Sequence, residues 1–134
     1  MSGGGYRVTL IIEPREAMYT QTQARRAHPT AGEIMLRGSM MMGGMGMAMP
    51  NRHLEVHVRD RRTMRPASNP LVSITYQALS PMMMCPVQVP VAVMVGLSMD
   101  MSDIHYGNNV SIVSGTYRVS VHMNSAYATY TVRL

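Results

Sequence analysis

The sequence predicts an all-β fold, an antiparallel two-sheet sandwich of about seven strands with one short helix. Three observations carry this. Apolar and polar residues alternate with a two-residue period in most segments, Gly, Pro and Asn interrupt those segments at short intervals, and only one stretch has a helical start signal. Short strands joined in this way bury a common core by stacking two sheets, and the immunoglobulin-like sandwich is the frequent solution. A chain of 134 residues with 46% apolar content suits one such domain, placed here at residues 6–134.

Taken in order, Tyr6 to Ile12 alternates, turns apolar and ends before Pro14, which suits a strand. Thr20-Gln21-Thr22-Gln23 has the spacing of a capping box, so a short helix is expected from Gln21 to Ala27, stopped by His28-Pro29. Glu33 to Leu36 is a second short strand. Residues 39–51 then form a Met- and Gly-rich loop, because glycine at that density opposes both helix and strand. His53 to Val58 alternates strictly, with Leu54, Val56 and Val58 on one face and His53, Glu55 and His57 on the other. Leu71 to Ala78 follows, then Val87 to Met94, where Pro86 and Pro90 mark an edge or irregular strand. Residues 100–110 read as a loop. Thr116 to Met123 and Ala126 to Leu134 alternate well, and Asn124-Ser125 has the length of a hairpin loop.

Composition excludes several classes. No run of apolar residues is long enough for a spanning helix, and Met1 to Tyr6 lacks the apolar core of a secretory signal, so the chain is read as a mature form. The net charge of +5 comes from 12 cationic residues, all Arg. They are scattered, with the densest group at Arg59, Arg61, Arg62 and Arg65 around Asp60, and no aromatic platforms accompany them, so nucleic acid is not an expected partner. The single cysteine, Cys85, permits no internal disulfide and is expected to be a buried thiol. There is no nucleophile placed beside a histidine and no glycine-rich phosphate loop, so an enzyme is not expected. The anomaly is 17 methionines.

The residues that can carry chemistry lie in two segments. His53-Leu54-Glu55-Val56-His57 has the period of a strand, not the helical His-Glu-x-x-His spacing of zinc proteases. Neighbours two apart on one strand face stand roughly 6.5–7 Å from each other, close enough for His53 and Glu55 to lean onto one ion, with His57 in a secondary position. The competing reading is the wet face of a half-buried strand. The second segment, Asp100 to Val110, holds His105 beside carboxylates and thioethers. Imidazole suits copper, iron and zinc, whereas thioether selects copper(I), so Met94, Met99 and Met101 are candidate donors as well as candidate core fillers.

His53-Leu54-Glu55, together with Asp103-Ile104-His105-Tyr106-Gly107-Asn108-Asn109-Val110 and Gly115-Thr116-Tyr117-Arg118-Val119, resembles the periplasmic iron- and copper-binding proteins of bacterial high-affinity ferrous iron uptake systems. The likeness spans about His53 to Leu134. It implies an immunoglobulin-like sandwich that pairs as a homodimer in the periplasm, serving a membrane iron or copper permease. It also implies a copper ion as ligand, with iron as the second candidate, bound by His53, Glu55 and His105 with a thioether from Met94 or Met99. The family's Met-Pro-Met type segment and its C-terminal imidazole have no counterpart here. His122 is the only histidine beyond the motif, and it alternates with Val119 and Val121.

The family does not account for Met40, Met41, Met42, Met45, Met47 and Met49, nor for Met82-Met83-Met84 beside Cys85. Flexible thioethers can gather around copper(I), which makes Met40, Met42, Met45, Met47 and Met49, with His57 and Met101, candidates for a secondary metal site. Equally, Met-rich surfaces repack readily against a partner. The leading expectation is an extracytoplasmic metal-binding carrier or accessory component for copper or ferrous iron. The alternative is a structural or assembly sandwich module without a functional metal site.

Overall fold

The computed structural model describes the chain except residues 1, 4, 39–48, 68–70, 98 and 125, with residues 2–3 described by backbone alone. The described strands are β1 (Ser2–Gly3), β2 (Tyr6–Pro14), β3 (Met18–Thr20), β4 (Glu33–Arg37), β5 (Arg52–Asp60), β6 (Val72–Ser80), β7 (Val87–Val89), β8 (Ala92–Gly96), β9 (His105–Val110), β10 (Thr116–Met123) and β11 (Ala126–Arg133). The helix α1 (Gln21–Ala27) follows β3 directly. Its start is the expected capping box. The Thr20 hydroxyl accepts from the Gln23 amide at 3.1 Å and the Gln23 side chain accepts from the Thr20 amide at 2.8 Å. His28 closes it in the left-handed conformation at φ 48°, with Pro29 beyond.

One sheet runs β1-β2-β5-β9-β8-β4-β3 and the other β11-β10-β6-β7. All pairings are antiparallel except β3 with β4. The two sheets enclose a core from Val8, Leu54, Val56, Val58, Tyr106 and Val110 on the large sheet and Ile74, Tyr117, Val119, Val121 and Met123 on the small one. This is the predicted two-sheet sandwich with one short helix, built from eleven strands among the described residues against the expected seven or so. The Tyr117 hydroxyl donates to the Val113 carbonyl at 2.8 Å, four residues upstream, as in the tyrosine corner of immunoglobulin-like domains.

Topology also forces the large sheet to curl. Pro14 ends β2 and Met18 opens β3, so at most about 14 Å of chain joins them. The five inter-strand steps from β2 to β3 measure roughly 24 Å along the sheet. A strap of that length can cross only if the sheet rolls toward it. Residues 15–17 are the strap, tied by Arg15 N–H to the Asn51 carbonyl at 3.2 Å and by Glu33 N–H to the Ala17 carbonyl at 2.8 Å. The strap crosses the face turned away from the second sheet, so that face is concave and partly covered.

Several expectations change. The Val87 to Met94 strand is two strands in different sheets, β7 beside β6 and β8 between β4 and β9. The break falls at Pro90, which has no amide to donate to a ladder, and the Asn108 side chain pins its carbonyl at 2.9 Å. The segment read as a loop at 100–110 contains a 3-10 turn at Met101–Asp103 and then β9, every residue of which is buried. Cys85 is exposed, not buried, as are Met82, Met83 and Met84. They occupy the β6–β7 connection between Pro81 and Pro86, where the chain turns outside the sandwich and no second layer covers it. His122 is exposed on β10 and stacks on Tyr127 at 5.7 Å, on the sheet that does not carry the metal candidates.

Candidate metal centre

The concave face of the large sheet is polar where its neighbours are apolar, and strand register decides which side chains share it. On β5, His53, Glu55 and His57 alternate with the core residues Leu54, Val56 and Val58. Register pairs His53 with Asn109 and Glu55 with Gly107 across β9. It pairs His105 with Met94 on β8, and then Met94 with Met35 and Gly96 with Glu33 on β4. Directly opposed residues point to one face. His53, Glu55, His57, His105, Met94 and Glu33 therefore project together into the concavity, and the curl shortens the distance from β5 to β4.

Glu33, His53, Glu55 and His105 form a buried cluster that can hold a metal ion, each offering one ligand atom within 4.8 Å of the others. His105 Nε2 lies 2.8 Å from Glu55 Oε2 and 3.2 Å from Glu33 Oε2. His53 Nε2 lies 3.7 Å from Glu55 Oε2 and 3.8 Å from Glu33 Oε1. Four ligands about 2.0–2.2 Å from one ion in a tetrahedron stand roughly 3.3–3.6 Å apart, and the observed separations bracket that range. Buried Glu33 Oε2, His53 Nε2, Glu55 Oε2 and His105 Nε2 have no hydrogen-bond partner among the described residues. Their closest contacts are the charge contacts with one another, those of His105 Nε2 with the two carboxylates foremost.

The opposite ring nitrogens explain why the Nε2 atoms face inward. His53 Nδ1 is 2.9 Å from Asn109 Oδ1, and His105 Nδ1 is 2.6 Å from the Asp103 carbonyl. Both partners accept, so each Nδ1 donates and each Nε2 faces the cluster, where it can give a lone pair to an ion once its own proton has left. This is the outer hydrogen bonding that orients metal-binding histidines. Asn109 Oδ1 accepts in addition from the Glu16 amide at 3.1 Å, and Asn109 Nδ2 donates to the Glu16 carbonyl at 2.7 Å, so one amide holds both ring and strap.

Electrostatics follow from the crowding. Burial alone would lower the His105 pKa, but the Glu33 and Glu55 carboxylates and the Asp103 carbonyl outweigh it and push it up to about 10. His53 is likewise raised, burial being outweighed by Glu55, Asn109, Glu16 and Glu33. Burial would raise Glu55, yet His105, His53 and His57 hold it far below the ordinary carboxylate range. Glu13 and Glu16 are raised by burial and by neighbouring carboxylates. Without a metal, a proton on the imidazoles balances the carboxylates; a cation competes for the same place.

Two flanking groups adjoin the quartet, His57 with Asp103 and His105, and Glu13 with Glu16 and His53. His57 Nε2 is 3.5 Å from Glu55 Oε1, and its ring stacks on His105 at 4.7 Å. The candidates Met94, Met99 and Met101 part company. Met94 is fully buried with Met18 and Met35, in register with His105. Met99 is 58% exposed, but its Cγ borders the rim of the cluster, since a methyl group on Gly96 would lie 3.0 Å from it and 3.8 Å from Glu33 Oε2. Met101 is 59% exposed on the 3-10 turn, and Met49 is exposed. Met40, Met42, Met45 and Met47 lie outside the described residues.

Compared with protein-family models, curated proteins and solved structures, the chain matches none of them. The site therefore stands on its own geometry. Sequence reasoning found His53, Glu55 and His105 and missed Glu33. It also gave no role to Glu13, Glu16 or Asn109. Glu33 opens a short strand as a lone acid among apolar residues, and only the β4–β8–β9–β5 pairing delivers it to His105. Gly107 is a local signal with a clear cause. Its φ is +154°, and a Cβ there would overlap the Leu54 carbonyl, so only glycine lets β9 lie against β5 with His105 beside Glu55.

Proposed function

We propose that the protein is an extracytoplasmic metal-binding protein, a carrier or accessory component for ferrous iron or copper, which holds the cation through Glu33, His53, Glu55 and His105. The observation that carries this reading is the convergence of two buried imidazoles and two buried carboxylates, each with a ligand atom within 4.8 Å of the others. Two imidazoles with two carboxylates suit iron(II), zinc and copper(II), and a His/carboxylate set is the usual environment of non-haem iron(II). The buried thioether of Met94 beside His105 supports a copper(I) component as well. The resemblance to periplasmic iron- and copper-binding proteins supports the compartment and the cargo role.

The test is titration with iron(II), copper(II), copper(I) and zinc(II), followed by native mass spectrometry, on wild type and on His53→Ala and His105→Ala. Tight uptake of one ion per chain, abolished by His53→Ala and reduced to weak binding by His105→Ala, is the expected result. Weak uptake that neither substitution changes would instead favour a structural module whose histidines are incidental.

A further inference from the structure

We propose that Glu13, Glu16 and His53 form an outer cation station through which divalent ions reach the buried quartet, with His53 Nε2 the ligand that both positions share. This rests on the metal-centre reading above. Ligand atoms of the three residues lie within 4.8 Å of one another. The same nitrogen stands 4.0 Å from Glu16 Oε2, 3.8 Å from Glu33 Oε1 and 3.7 Å from Glu55 Oε2. It therefore faces the outer and the inner carboxylates at nearly equal range. It is also fully buried and has no hydrogen-bond partner among the described residues, which distinguishes the group from a surface patch of acids.

Side-chain exposure sets the direction. Glu16 is 30% exposed, Glu55 9%, Glu33 6%, His105 1% and His53 0%. Solvent thus meets the strap carboxylate first. Glu13 is placed by register, opposite His53 on the adjacent strand, and Glu16 by the two hydrogen bonds between its backbone and Asn109. That same Asn109 accepts from His53 Nδ1, so the outer carboxylate and the shared ring are fixed to one side chain. The far flank is less suited to entry, because the His105 nitrogen nearest Asp103 is engaged with the Asp103 carbonyl at 2.6 Å.

One lone pair serves one ion at a time, so the two positions are alternatives and not a binuclear pair. The outer position offers two carboxylates and one imidazole. The inner adds a second imidazole in a drier setting, where each charge interaction is stronger, so an ion passes inward. The chemistry selects a divalent cation that accepts oxygen and nitrogen, such as iron(II), manganese(II) or cobalt(II). Copper(I), which seeks sulfur, gains little from this route.

Stopped-flow loading with cobalt(II), whose visible absorption reports its coordination, tests the proposal on wild type and on the double variant Glu13→Gln, Glu16→Gln in 0.5 M salt. Long-range attraction is screened at about that ionic strength. The double variant is expected to load about tenfold or more slowly and to end in the spectrum of the inner centre. A rate within twofold of wild type, or a slowing that appears only at low salt, overturns the entry station alone. His105→Ala is expected to retain a weaker cobalt(II) site that the added Glu13→Gln and Glu16→Gln changes abolish; persistence of that site also overturns it. A wild type that takes up no cobalt(II), iron(II) or zinc(II) overturns the metal-centre reading and this proposal together.

Discussion

Asn109→Ala is the substitution that best separates a metal centre from an ion-pair cluster. Asn109 is buried and touches no proposed ligand atom, yet it accepts the proton of His53 Nδ1 at 2.9 Å and clasps the Glu16 backbone at 3.1 and 2.7 Å. Two of the three lost hydrogen bonds belong to the half-exposed strap, where water replaces them. The His53 N–H lies in the interior, and leaving it without a partner costs about 1–3 kcal/mol of folding stability. The larger effect is on the ligand, since a ring that can rotate or exchange tautomers presents its Nε2 lone pair only part of the time. Loss of such outer partners typically lowers metal affinity 10- to 100-fold, or about 1.4–2.8 kcal/mol. Competition titration against a chelator on folded variants measures it. Asn109→Asp keeps the acceptor for His53, so its affinity is expected near or above wild type. An Ala variant within about threefold of wild type, or an Asp variant no better than Ala, would refute the orienting role and with it the inward-facing lone pair.

Three further outcomes are expected. Gly107→Ala places a side chain where φ is +154° and the Leu54 carbonyl leaves no room. Strain of about 1–3 kcal/mol or more should lower the urea midpoint and weaken metal uptake together; an unchanged midpoint would contradict the close β5–β9 approach. In the protein without metal, His105 is raised from 6.5 to about 10. Its stabilising contribution is therefore complete below about pH 6.5 and lost as pH rises toward 10, while metal affinity rises across the same window because the ion displaces that proton. Unfolding and binding curves measured from pH 6 to 10 should slope in opposite directions. Finally, Met94→Leu conserves volume and should cost less than about 1.5 kcal/mol. Copper(I) uptake is expected to fall with iron(II) uptake retained, and equal loss of both would place the side chain in packing alone.

Much of the fold was legible because alternation is local. The β5, β10 and β11 strands follow their periodicity, and the Thr20–Gln23 capping box predicts α1 to the residue. In sequence Pro90 marks only an irregularity within one strand, whereas it is the corner at which the chain changes sheet. Neither partner sheet is encoded in the residues beside it. Three members of the site were legible for two reasons: His53 and Glu55 share a strand face, and His105 lies in a segment that gathers carboxylates and thioethers. Glu33 was not, because nothing near it in sequence announces a role. It becomes a ligand candidate through three strand pairings and the curl that residues 15–17 impose. The wet-face reading of His53 and Glu55 failed for the same reason. Alternation assigns residues to faces, but a strap contributed by distant residues decides whether a face is wet.

The energetics of the quartet argue for a role beyond stability. A network built to hold the fold together would align its N–H groups with carboxylate oxygens. Here two imidazoles and two carboxylates are crowded together in the interior, with His105 Nε2 2.8 Å from Glu55 Oε2 and 3.2 Å from Glu33 Oε2 but His53 Nε2 no nearer than 3.7 Å to either carboxylate. Taking such charges out of water costs on the order of several kcal/mol per ion, which their mutual attraction offsets only when the geometry is excellent. Apolar residues of similar volume at such sites are often neutral or stabilising. A single cation at the centre would partner all four groups at once, while the Nδ1 hydrogen bonds, the bare Gly107 and the strap already hold the ligands in place. The arrangement makes physical sense if its lowest free energy is reached with an ion bound, and the carboxylates that line the approach from solvent extend the same logic outward.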